Sequence, residues 1–209
     1  MTKTIFVTAT GTNIGKTYSA LKIMELLAKK GIRAIPFKPI ETGVASDPED
    51  ASALLQKYRE LYRDETLSLD DVCPYRFELP ASPYVASGGA DIDIESIGER
   101  LEMLKNRADV VLMEGAGGLM VPIKKDFFML DLMRRFADFA VLISHTGLGC
   151  INDALLSKKA LDDTNIPCRI VFNRIAGDGF DEISKPFLKE SLDFVFELDD
   201  LQTVLDGVI

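Results

Sequence analysis

The most restrictive feature of this chain is a three-part run near its start. An apolar stretch, Ile5-Phe6-Val7, leads into a polar loop, Thr8 to Gly15, and Lys16-Thr17 then opens an amphipathic segment that reaches Lys30. In that segment Ala20, Ile23, Met24, Leu27 and Ala28 recur at helical spacing, while Lys22, Glu25 and Lys29 fall elsewhere. Gly31 supplies the stop. A buried strand, a glycine-ended loop and a helix in direct succession make an anion cradle. Backbone N–H groups at the helix start converge on a phosphate, Lys16 reaches the terminal phosphates, and Thr17 offers a hydroxyl to magnesium. The usual G-x-x-x-x-G-K-[ST] pattern would place glycine at position 10, where this chain has Thr10. Gly-Lys-Thr alone is a common tripeptide; its place between strand and helix gives it meaning.

Four further short apolar runs follow, at about Arg33–Phe37, Asp109–Met113, Phe139–Ile143 and Arg169–Phe172. Helical stretches near Ile94–Arg107, Leu130–Phe136, Ile151–Asp162 and Glu182–Leu192 separate or follow them. Continuous apolar strands alternating with helices predict an α/β fold of three layers, a mostly parallel sheet with helices on both faces. The 209 residues suit a single domain spanning 1–209. Ligands of such sheets bind beyond the carboxyl ends of the strands. Glu41–Glu49 and Leu79–Gly89 read as loops that are candidates for substrate contact.

The 33 Asp and Glu residues outnumber 24 Lys and Arg, for a net charge of −9, which argues against a nucleic-acid or anionic-membrane surface. An anionic ligand must then be held by locally concentrated donors. Cys73, Cys150 and Cys168 form neither a C-x-x-C pair nor a disulfide framework, and the first residues do not resemble a secretory leader. No stretch has the length of a membrane span. A cytoplasmic location is expected.

Three more polar groups fall at strand ends. Lys38 ends the second strand, with Thr42-Gly43 after it; Glu114-Gly115-Ala116-Gly117-Gly118 ends the third; Gly147 to Asn152 follows the fourth. A carboxylate placed directly after an apolar strand needs a partner, and for Glu114 that is magnesium beside Lys16 and Thr17, or else a lysine or a backbone amide. Lys38 is either a surface strand-end lysine or a charge that stabilises an anionic reacting group. Asp50 is either a second metal ligand or a first-turn acid favoured by a helix dipole. His145, the only histidine, reads as structural, and Cys150 as packing.

Taken together these pieces resemble the dethiobiotin synthetases of the biotin pathway. The similarity runs from Thr4 to about Asn173, through Gly15-Lys16-Thr17, Lys38-Pro39, Thr42-Gly43, Pro80-Ala81-Ser82-Pro83, Glu114 to Gly118, and Leu148 to Asn152. The family's phosphate loop carries one extra residue, which accounts for Thr10, with Ala9 standing where its glycine opens the loop. The resemblance implies a P-loop NTPase fold, a homodimer and a reaction: ATP, carbon dioxide and 7,8-diaminopelargonate give the cyclic urea through a carbamate and its phosphoric anhydride. It implies nucleotide binding by Asn13, Ile14, Gly15, Lys16, Thr17, Tyr18, Asp50, Glu114, Gly115, Ala116, Gly117 and Asn173, the last matching the asparagine that usually recognises the base. Mg2+ would be held by Thr17, Asp50 and Glu114. Lys16 and Lys38 would stabilise the reacting anions, with Thr12 and Thr42 near the diamine. The substrate carboxylate would meet Gly149, Cys150, Ile151 and Asn152 of the other subunit, at a helix start. The chain departs from the family at Asn13, where an acid is frequent, at Tyr84, where histidine is common, and after Asn173, where a glycine-to-proline stretch is missing. That last departure leaves the preference for ATP over other nucleotides open. The rival is a partition-type regulatory ATPase that dimerises on nucleotide; such proteins usually carry an additional lysine early in the loop, and positions 9 to 14 hold none.

Overall fold

The computed structural model describes residues 2–175 and 177–208, so Met1, Ala176 and Ile209 lie outside it. Its first strand, β1 (Lys3–Ala9), is buried at every residue from Thr4 to Ala9. Successive strand residues point to opposite faces, so unbroken burial means that both faces are covered.

The loop after β1 enters α1 (Lys16–Lys29), and the chain returns as β2 (Ala34–Phe37) and β3 (Ile40–Thr42). Helices α2 (Glu49–Tyr62) and α3 (Leu69–Val72) precede β4 (Tyr75–Phe77), α4 (Pro83–Ala86) and α5 (Ile94–Lys105). Then come β5 (Val110–Gly118), the pair β6 (Pro122–Lys124) and β7 (Phe127–Phe128), and α6 (Met129–Phe136). The last third holds β8 (Phe139–His145), α7 (Cys150–Asp162), β9 (Cys168–Asn173), α8 (Phe180–Ile183), α9 (Lys185–Ser191), β10 (Phe196–Glu197) and α10 (Leu201–Leu205).

The main sheet runs β10-β9-β8-β1-β5-β2, and every pairing in it is parallel. A parallel sheet sends all its carboxyl ends to one edge, so the segments after β1, β2, β5, β8 and β9 leave on the same side. A small parallel pair, β3 with β4, holds the chain beyond β2 in place. Among the described residues no helix is long and apolar enough to cross a membrane.

The five expected strands and the alternating helices are present. The helices α2 and α3 and the short pairs β3–β4 and β6–β7 were not expected, and other details differ. β5 continues through Glu114 to Gly118, because Gly118 still pairs with Ala9 beyond a register shift. The Glu41–Glu49 loop instead opens in β3 and closes in the first residue of α2, and Leu79–Gly89 contains the single turn α4. The expected helix Glu182–Leu192 is broken at Ser184, since Pro186 in the first turn of α9 has no N–H to continue from α8. A sixth strand, β10, pairs Phe196 and Glu197 with β9.

Leu142 is fully buried in β8. Leu142→Ala leaves a cavity between sheet and helices and is expected to lower stability by about 2–5 kcal/mol, measured by urea unfolding.

Candidate active site

Gly15 caps α1 in the left-handed conformation, φ 97°, with no side-chain cap. The N–H groups of the first helical turn therefore remain available to an anion. Behind the loop, Asn173 at the end of β9 donates from Nδ2 to the Ile14 carbonyl at 2.9 Å. A Cβ on Gly15 would lie 2.4 Å from that same nitrogen, so glycine is required on two counts, space and φ. Lys16 is buried and donates to the Gly11 carbonyl at 3.0 Å. Burial, then the nearby Lys38, lower its pKa from the ordinary lysine value.

The centre of the site is a buried ion pair. Lys38 Nζ lies 2.7 Å from Glu114 Oε1 and 3.0 Å from Asp50 Oδ2, with Lys38 only 2% and Glu114 1% exposed. Thr17 donates its hydroxyl to the same Glu114 oxygen at 2.9 Å. Burial pulls the Lys38 pKa down, yet Glu114 and Asp50 more than offset it, and the ammonium is held above the usual lysine range. Burial pushes the Asp50 carboxyl up, but Lys38, Thr17 and Lys16 outweigh it and keep it below its ordinary value. Of the partners open to Glu114, the structure shows the lysine. Glu114 Oε2, however, is buried with no hydrogen-bond partner among the described residues. Thr17, Asp50 and Glu114 thus bring together hydroxyl and carboxylate oxygens with acceptor capacity to spare, the donor type that hard divalent cations take.

Asp50 reaches this cluster because Glu41 holds the start of α2. The two Glu41 oxygens accept from Asp50 N at 3.0 Å and Ala51 N at 2.9 Å. Pro48 caps α2 without a side-chain bond, so Glu41 supplies the acceptor the helix lacks. Its own carboxyl is pushed up by burial.

Lys16, Thr17, Lys38, Glu41 and Asp50 border a cavity of about 840 Å³. Of the expected residues, Thr12, Asn13, Gly15, Lys16, Thr17 and Tyr18 line it from the loop, Lys38, Thr42 and Asp50 from the second strand onward, and Ala116 and Gly117 from β5. Pro80 to Pro83 close one side.

A family model described as an AAA domain matches residues 3–206. The protein named ATP-dependent dethiobiotin synthetase BioD of Sulfurovum sp. is 44% identical over 185 residues, 88% of this chain and 88% of the relative. The protein of that name from Wolinella succinogenes is 39% identical over 215 residues, covering 99% of this chain and 100% of the relative. The chain belongs to the dethiobiotin synthetase family. Similarity to solved structures shows the fold alone. A plasmid partition protein from Borrelia burgdorferi superposes with TM-score 0.64 at 14% identity, covering 100% of this chain and 99% of its own. The MinD cell division protein of Aquifex aeolicus gives 0.54 at 20%, covering 93% and 80%. The architecture is that of P-loop NTPases.

Several residues that resemblance to the dethiobiotin synthetases marks for nucleotide or substrate do not line the cavity. Ile14 and Asn173 sit in the contact behind the loop, and Glu114 lies beneath Lys38 and Thr17. Gly115 is buried, and its Cβ position is crowded by Phe6 at 3.0 Å and Met129 at 3.2 Å, so its glycine serves packing. Gly149, Cys150, Ile151 and Asn152 form the start of α7 away from this cavity. His145, the last residue of β8, pairs with Asp153 of the α7 start at 3.0 Å, and Cys150 is buried. Val121, in the cavity wall, was not singled out from the sequence, and Glu41, also in that wall, was marked only as part of a loop that is a candidate for substrate contact. Nothing in a linear motif announces a carboxylate that caps a helix nine residues downstream.

Glu41→Ala leaves two N–H groups of α2 without an acceptor and is expected to cost about 1–3 kcal/mol in urea unfolding. Glu41→Gln, which keeps one acceptor oxygen, should fall between it and the wild type.

Proposed function

We propose that the cavity closes the ureido ring of dethiobiotin from 7,8-diaminopelargonate, carbon dioxide and ATP. The observation that carries this reading is the convergence of Lys16, Lys38, Thr17, Asp50 and Glu114 at one strand edge, in a chain of this family. One amine of the diamine combines with carbon dioxide to a carbamate. A carbamate oxygen then attacks the γ-phosphorus of ATP, ADP leaves, and a carbamic-phosphoric anhydride forms. The second amine attacks the carbonyl carbon, phosphate leaves, and the ring closes.

The chemistry asks for relief of charge repulsion, because an anion must approach a triphosphate. Lys38 is held as an ammonium by its carboxylate partners and still borders the cavity, so it faces the carbamate. Lys16 reaches the terminal phosphates, and the N–H groups of Gly15, Lys16 and Thr17 receive their oxygens. Magnesium held by Thr17, Asp50 and Glu114 would neutralise the phosphate charge that develops on transfer. Thr12 and Thr42, both in the cavity wall, would bond the amines. No covalent enzyme nucleophile is needed.

A homodimer completes this reading. Leu148 and Leu156 are strongly exposed on either side of the α7 start, and Gly149 to Asn152 do not serve the cavity of their own chain. Docked against a second copy, that helix start would receive the substrate carboxylate. Light scattering should give the dimer mass; a monomer with full turnover would contradict the shared site. The free cysteines Cys73, Cys150 and Cys168 suit a reducing, cytoplasmic setting.

Release of ADP and phosphate should require both the diamine and bicarbonate. ATP hydrolysis indifferent to the diamine would favour the regulatory-ATPase reading. Lys38→Ala should lower turnover by at least about 10²-fold, as for loss of a charge aimed at the transition state, with a much smaller change in ATP affinity measured by calorimetry. Equal loss of both would remove Lys38 from its assigned role.

A further inference from the structure

We infer that Asn173 is a positioning residue for the phosphate loop, one that sets the direction of the Gly15 N–H, and not solely a contact for the nucleotide base. The inference rests on the nucleotide reading of the cavity. Its starting point is the 2.9 Å bond from Asn173 Nδ2 to the Ile14 carbonyl. The amide must face the loop through its nitrogen, since the flipped rotamer would set two acceptor oxygens against each other. Ile14 and Gly15 share one peptide unit. In a planar trans peptide the C=O and N–H point in opposite directions. A carbonyl held on the Asn173 side therefore turns the Gly15 N–H away from that side. Gly15 lines the cavity and Asn173 does not, so the bond and the phosphate donors lie on opposite sides of the loop.

The loop needs such a tether. Asn13 at φ 59° and Gly15 at φ 97° both stand in the left-handed region, with Ile14 between them. Glycine and asparagine both tolerate that conformation, so local preference permits this shape without fixing the orientation of the Ile14–Gly15 peptide. Asn173 is well anchored for the task. It pairs with His145 at the end of the β8–β9 ladder, and beyond it Thr146 Oγ1 accepts from Ile175 N at 2.8 Å and bonds Asp178. The missing Cβ of Gly15 leaves the room that the Asn173 amide fills.

The test compares the full chain with Asn173→Ala and Asn173→Asp, using magnesium with ATP and magnesium with inorganic tripolyphosphate, which has no base. Calorimetry should show both ligands weakened by Asn173→Ala to a similar degree, about three- to tenfold, the effect of one hydrogen bond. Turnover at saturating ATP should fall as well, because the γ-phosphate depends on the loop. Asn173→Asp keeps the shape but sets an oxygen against the Ile14 carbonyl, and it should bind no better than Asn173→Ala. Melting curves establish that the variants are folded. Weakened ATP binding with unchanged tripolyphosphate affinity and unchanged kcat would overturn the inference, leaving a base contact only. Recovery of tripolyphosphate affinity in Asn173→Asp would overturn it too, since the donor would then be irrelevant. A wild-type chain that binds neither ligand would overturn the nucleotide reading and this inference with it.

Discussion

The buried pair of Lys38 and Glu114 is the constraint on which the site depends. Neither charge is tolerable alone in the interior, where desolvation costs several kcal/mol per ion. Each is acceptable because the other is there, and because Asp50 and Thr17 add hydrogen-bonding partners. The pair joins Lys38, directly after β2, to Glu114 in the middle of the neighbouring strand β5, and so fixes where the chain beyond β2 turns away from the sheet. It also draws α2 in, since Asp50 can reach Lys38 only while Glu41 holds the first turn of that helix. A positive charge kept dry by two carboxylates is a poor source of stability. It is a good source of preorganisation, since its ammonium is fixed in the cavity wall before any ligand enters.

The parallel sheet makes that economy of placement possible. Its strands deliver the phosphate loop, Lys38 and Glu114 to one edge without long connections. The core beneath is shared among the same strands, with Phe6 filling the space that the glycine at 115 leaves. At the far edge the architecture changes character. β10 is two residues long, and around it Arg174, Asp181, Lys185 and Glu197 form an exposed ion-pair network. Exposed pairs contribute little each. That edge is thus built from surface charge where the rest of the sheet is built from apolar burial.

Much of this was legible in the sequence because it is written in short-range patterns. Ile5-Phe6-Val7, the loop and the periodic apolar residues of α1 announce strand, cradle and helix within thirty residues. The positions of Lys38 and Glu114 directly after apolar runs were visible too, but their mutual contact was not, since residues 76 apart in sequence meet only through sheet order. Asp50 stayed ambiguous for the same reason. Glu41 looked like part of a loop because its partners are backbone groups, which carry no sequence signal. β10 and the break at Ser184 escaped because two-residue strands and one-turn helices have no period to detect. Asn173 was visible as a residue of the family pattern, yet its contact with Ile14 appears only in three dimensions.

The central claim is that this cavity joins a one-carbon unit to two amines at the expense of ATP. Isotopically labelled bicarbonate tests it most directly, with the chain, magnesium, ATP and 7,8-diaminopelargonate in one vessel and the products read by mass spectrometry and NMR. The account predicts one labelled carbon per product molecule, bonded to two nitrogens, in step with one ADP released. Consumption of ATP with the label left in bicarbonate would contradict it.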